Sequence, residues 1–350
     1  MKFKTEGEIM KVYKILILAF ILLLGMDNIY AQAGNRTGTG GAAQLLIPVG
    51  VRGIALGQSD IATARGIEAL FWNPAGASRM DNSASVLFTH MDYIADIGVQ
   101  YGAVSANFEG FGVVSLSIKS LSIGDILVTT TRDPDGTGET FSPQMLVAGV
   151  TYSKQLTERI AVGLTTNFIT ETLGDVTANG IAFNVGVLYD NLGLEGLSFG
   201  VVLKNIGPQM QFDGTGLLQE AVVNDFNRPP QFYRVEAAPF ELPSQFELGL
   251  GYKPKINEQN SLLVSGSFQN NNFSADEYKF GLEYGYDNTF FIRGGYALAP
   301  DLESDQYIYG FSAGAGINYS FEDIAVKVDY AYRDVEFFDG NHIFGITLGF

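Results

Sequence analysis

The chain has no cysteine and only two histidines, His90 and His342. That excludes disulfides, thiolate metal sites, a cysteine nucleophile and a lipidated N-terminal cysteine. Basic residues are scarce: 21 Lys and Arg stand against 38 Asp and Glu, for a formal net charge of −17. Nucleic-acid binding calls for the opposite sign. A helical membrane protein carries several apolar runs of about 20 residues. This sequence has one short run, at its start. Glycine is abundant at 42, as are Tyr at 17 and Phe at 26. With a mean hydropathy of only +0.12, that composition fits strands that are apolar on one side.

The opening run reads as an export signal. Lys11 and Lys14 precede an apolar core from Ile15 to Gly25, and Ala31 supplies a small residue before Gln32. The core is too short to cross about 30 Å of hydrocarbon. We expect residues 1–31 to be a cleaved signal peptide starting at Met1 or Met10, with delivery to a Gram-negative outer membrane. Residues 32–82 form a second unit: a Gly-rich stretch from Gly34 to Ala43, then a segment whose apolar residues (Ile61, Ala64, Ile67, Leu70) suggest a short helix. Asn73-Pro74-Ala75-Gly76 stops that helix.

From residue 83 the period changes to two. Tyr278, Phe280, Leu282, Tyr284 and Tyr286 alternate with Lys279, Gly281, Glu283 and Gly285. The same holds for Ile324 to Arg333, Gln245 to Tyr252 and Ile181 to Asp190. One face is apolar and aromatic and the other small, polar or charged, as in a membrane barrel with lipid outside and water inside. We read fourteen antiparallel strands: 83–93, 96–108, 110–121, 144–155, 158–172, 180–192, 196–207, 243–254, 259–270, 276–287, 289–298, 306–320, 323–335 and 341–350. Fold class is thus all-β: a transmembrane barrel over residues 83–350 with a short helical plug ahead of it.

From the third strand on, short connections alternate with longer ones at 122–143, 173–179, 208–242, 271–275, 299–305 and 336–340. Short turns belong to the periplasm and long loops to the outside. The inner parity carries Asp190, Glu247, Lys279, Glu283, Arg293, Lys327, Asp329 and Arg333, so mixed-sign networks are expected in the lumen, with Arg52 a candidate to join them. The loop from Pro208 to Leu242 mixes acids with Leu217, Phe226, Phe232, Tyr233 and Phe240, a candidate partner surface. No residue set completes a catalytic triad with His90 or His342. Asp133 to Gly138 alternates acids but lacks the spaced bidentate Glu of a calcium loop. We expect no catalysis, no metal and no cofactor.

The stretch from Leu46 through Ile47-Pro48-Val49-Gly50-Val51-Arg52 to Gly57, followed by Phe71-Trp72-Asn73-Pro74-Ala75-Gly76, closely resembles the N-terminal signature of the PorV/PorQ family. That family belongs with the FadL-like group of fourteen-stranded outer-membrane barrels. The motif resemblance runs from Gln44 to Ser78; Gln58 departs where a second Gly is usual, and Arg65 to Glu68 replaces a more acidic stretch. Gly345 to Phe350, ending in an aromatic, resembles an outer-membrane sorting signal. The resemblance implies a non-enzymatic component of type IX protein secretion that binds cargo or partner proteins for translocation or surface attachment. The alternative it implies is a FadL-like transporter of long-chain fatty acids or other hydrophobic compounds. In either case residues 44–80 are the hatch, entering the lumen from the periplasm, with Pro48, Gly50, Arg52, Gly57, Asn73, Pro74 and Gly76 as its hinge or gate residues. For Gly50, Gly53 and Gly57 the simpler role is close packing on the barrel wall.

Overall fold

The computed structural model describes residues 40–221, 230–302, 306–322 and 324–350. Phe226, one of the expected loop anchors, lies outside them, as does the whole signal segment. The strands of the barrel are β1 (Ala84–Asp92), β2 (Gly98–Phe108), β3 (Gly112–Ser122), β4 (Gln144–Gln155), β5 (Ile160–Leu173), β6 (Val176–Asp190) and β7 (Leu197–Ile206). They continue as β8 (Gln245–Tyr252), β9 (Asn260–Asn271), β10 (Glu277–Tyr286), β11 (Phe290–Leu298), β12 (Tyr309–Phe321), β13 (Ile324–Val335) and β14 (Asn341–Gly349). Each pairs antiparallel with its neighbours in sequence. The sheet closes where β1 meets β14, in register from Ser85 opposite Gly349 to Asp92 opposite His342. This is a closed fourteen-stranded barrel, which leaves no free edge.

The alternation seen in the sequence is the reason it closes. On β10, Phe280 and Leu282 are about half exposed, whereas Lys279 is 2 % and Glu283 9 % exposed. Val185, Leu250, Val328 and Phe344 face outward in the same way, and Leu188, Glu247, Asp329 and Ile343 inward. All fourteen expected strands are present, with ends shifted by a few residues. The expected loop at 173–179 is instead a tight turn at Gly174-Asp175. β5 and β6 stay paired out to Leu173 opposite Val176, because the left-handed Gly174 reverses the chain in two residues. Past the barrel rim, Phe212–Gly214 runs beside β6, and a two-stranded ribbon (Leu218–Ala221 with Gln231–Arg234) projects from the long loop.

The expected single helix over 61–71 is broken. A 3-10 turn at Asp60–Ala62 gives way to extended Arg65 and left-handed Gly66, and the chain re-forms a 3-10 turn at Gly66–Glu68 before one helical turn, Ala69–Trp72. The turn stops at Asn73 as expected, but Asn73 then opens a new 3-10 segment, Pro74–Arg79, by accepting from the Ala75 amide at 3.1 Å. Earlier in this segment lie a 3-10 turn, Ala43–Leu45, and a helical turn, Val51–Ala55.

Candidate functional site

Residues 40–82 fill the lumen along its length. At the long-loop end, Gly40 bridges Glu241 and the Gly41 amide donates to the Glu241 carbonyl at 3.3 Å. At the short-turn end, the Ser83 amide donates to the Phe350 carbonyl at 2.8 Å and the chain passes into β1. The plug therefore spans from rim to rim and is continuous with β1 at the short-turn end. Phe350, the terminal aromatic, lies beside this junction.

One flank of the plug is apolar. Val51, Ile54, Ile67, Leu70 and Trp72 pack with Leu87, Met91, Val99, Tyr101, Leu121 and Ile343 from β1, β2, β3 and β14. Their burial excludes water from that side of the lumen and stabilises the contact at roughly 25 cal/mol per Å² of apolar surface.

The flank facing β10, β11 and β13 is ionic. Arg52 grips Glu283 on β10 with two hydrogen bonds, at 2.9 and 3.1 Å, and Asp60 within the plug at 2.6 Å. Glu283 also accepts from Arg293 at 2.6 Å, and Arg293 donates to Asp329 on β13. Lys327 bonds Glu68 of the plug and lies 3.5 Å from Asp329. Lower down, Asp190 holds Arg65 at 2.6 Å and Arg79 at 3.0 Å. Each side chain is largely out of bulk water, so the pairs are strong only while complete. Burial pushes the Asp60 carboxyl up, against the pull of Arg52. Burial acts on Glu68 in the same sense, but Lys327 and Arg52 outweigh it and hold that carboxyl below the usual glutamate range.

The remaining expected lumen groups also face inward. Glu247 accepts from Lys204 at 2.6 Å, Lys279 lies 3.2 Å from Glu277, and Arg333 donates to Asn341 at 2.6 Å while covering the Tyr309 ring at 4.1 Å. Asn73 is fully buried and ties plug to wall, donating to the Ile61 carbonyl at 2.9 Å and the Val187 carbonyl at 3.2 Å. Pro74 is buried against β5 and β6, where Gly163 and Gly186 leave it room. A Cβ on Gly76 would meet the Ala64 carbonyl oxygen at 2.3 Å, within the plug. The glycines of the signature divide. Gly57 lies against the wall, where an added Cβ would meet the Tyr296 amide nitrogen at 2.6 Å. Gly50 and Gly53 instead make room for Trp72, so their packing is internal to the plug. Pro48 is buried beside them.

The described loop residues do not form one surface. Phe232 is 73 % exposed and Tyr233 39 %, on the projecting ribbon, and Leu217 is half-buried. Phe240 turns inward to Phe212, with ring centroids 5.5 Å apart, and crowds Gly41 at the head of the plug. His90 and His342 lie on adjacent strands, but His90 bonds Asp92 at 3.2 Å and His342 bonds the Tyr330 hydroxyl at 2.8 Å.

Two cavities flank the plug. A wide one of ≈ 1090 Å³ opens at the short-turn end and is lined by both signs of charge, including Arg65, Arg79, Asp190, Glu258 and Lys327. A small one of ≈ 40 Å³ lies between Phe71 of the plug and strands β2–β7. It contains Lys119 and Lys204, which periodicity alone places on inner parity, two residues from Ser117 and Val202. Arg65, Glu68 and Arg79 have no such signal, because the plug has no regular repeat.

No family model matches the chain, and no curated protein does. Solved structures do. The CymD monoaromatic hydrocarbon channel superposes with a TM-score of 0.54 at 14% identity, over 87% of this chain and 98% of that one. The toluene transporter TbuX of Ralstonia pickettii gives 0.51 at 13%, over 86% and 98%. The toluene transporter TodX of Pseudomonas putida gives 0.51 at 12%, over 86% and 96%. This chain has the fold of those barrels. At such identities the likeness is one of architecture, and it fits placement in an outer membrane.

Proposed function

We propose that the chain is a FadL-like outer-membrane channel that admits small hydrophobic compounds past the plug. The observation that carries this reading is the two-sided seat of the plug. Its apolar flank offers a surface that a hydrophobic solute can take over from Val51, Leu70 and Leu121. Its ionic flank, Arg52 to Glu283 and Glu68 to Lys327, holds position while that exchange occurs. The fold shared with CymD, TbuX and TodX supports the reading. No bond is made or broken in such a role. The test is uptake of labelled toluene and of oleate by cells with and without the protein. Faster entry of at least one is expected, and equal rates for both would refute the reading.

A second reading, a type IX secretion component binding cargo or partner proteins, rests on the Ile47 to Arg52 signature. Those side chains are turned into the lumen, where Arg52 pairs with Glu283. That gives the signature a packing role needing no partner, and the comparisons lend the secretion reading no support. Affinity purification from outer membranes decides it: co-purifying secretion components favour this reading, and their absence removes it.

A further inference from the structure

The small cavity beside Phe71 has an unbalanced charge. Lys119 is 5 % exposed, and its Nζ donates to the Ile47 carbonyl at 3.0 Å. Among the described residues no carboxylate lies within ion-pair distance of it. Lys204 is equally buried and is paired with Glu247 at 2.6 Å. Both ammonium groups approach the Phe71 ring, at 5.0 and 5.1 Å from its centroid. Of these two buried cations, only Lys204 has a carboxylate partner among the described residues. A charge withdrawn from water and left without a counter-charge is costly, so it is either neutralised or met by an ion.

The cavity suits an ion. Its other polar lining groups, among them Ser117, Thr165, Asn167 and Asn184, are neutral and able to donate hydrogen bonds, and no Asp or Glu lines it. Its volume of ≈ 40 Å³ exceeds the roughly 10–15 Å³ that one water requires. We propose that this cavity binds a halide ion, with Lys119 as its principal partner. The proposal stands apart from the passage of hydrophobic compounds and does not depend on it.

The chain carries its own reporter. Trp72 is the sole tryptophan, its ring lies 5.7 Å from the Lys204 Nζ, and it meets Phe71 edge-on with centroids 5.1 Å apart. The experiment titrates the full-length barrel in detergent with sodium bromide at constant ionic strength, and follows Trp72 fluorescence. A saturable change is expected, at least tenfold weaker in Lys119→Met. No saturable change, or an undiminished one in Lys119→Met, overturns the proposal. Should that variant fail to fold, bromide-soaked crystals of the unaltered protein decide the question. An anomalous peak beside the Lys119 Nζ supports the site, and its absence overturns it.

Discussion

Glu283 is the side chain on which plug and wall most depend, because Arg52 and Arg293 both bond the same carboxylate. In Glu283→Gln two guanidinium groups lose their shared counter-charge inside the barrel, a change of about 3–5 kcal/mol for a broken buried pair. Plug residues are expected to exchange amide hydrogens faster while the strands stay protected, as hydrogen exchange read by mass spectrometry would show. Asn73 works by hydrogen bonds alone. Asn73→Ala leaves the Val187 and Ile61 carbonyls and the Ala75 amide without its side-chain bonds, at about 1–3 kcal/mol for each group that stays dry. It is expected to lower the thermal midpoint of plug protection more than that of the barrel. Glu68 adds a pH dependence. Its folded pKa lies below the ordinary value, so its pairing stabilises above about pH 4.3 and is lost as pH falls through the folded value. Asp60, shifted upward, works in the opposite sense. Protease protection of the plug is expected to weaken in acid, and to weaken less in Glu68→Gln.

Between elements, plug and wall come together backbone on backbone. Gly57 of the plug meets Gly295 of β11, where an added Cβ would lie 2.0 Å from the Gly57 amide nitrogen. No rotamer relieves that overlap, so Gly295→Val is expected to assemble a barrel with normal heat-modifiable gel migration but a protease-sensitive plug. The strands were legible in the sequence because lipid on one side and the lumen on the other impose a period of two over every one of them. Lys279, Glu283 and Arg293 were legible as inward groups for the same reason. The plug was not. Arg65 and Gly66 break its helical run through backbone conformation, and the pairings of Arg65 and Glu68 depend on contacts made across 125 and 259 residues of chain. The inward turn of Phe240 onto Phe212 had no sequence signal, because composition reveals that an aromatic is present and not which way its loop turns it.

For the molecule as a whole, the ribbon bearing Phe232 and Tyr233 is exposed and forms no part of the barrel sheet, so removing residues 218–234 is expected to leave barrel assembly and solute uptake unchanged. A loss of uptake would mean that the ribbon takes part in capture.

The attachment of the plug at both rims limits how the lumen opens. Joined to β1 at one end and bridged to Glu241 at the other, the segment is held at both rims, as a strap is and a cork is not. For the proposed channel, the two anchors confine any opening to a sideways bowing of the segment between them. Cutting the strap once near its middle, with a protease site engineered after Arg65, should therefore convert a narrow, transient path into a wide and lasting one.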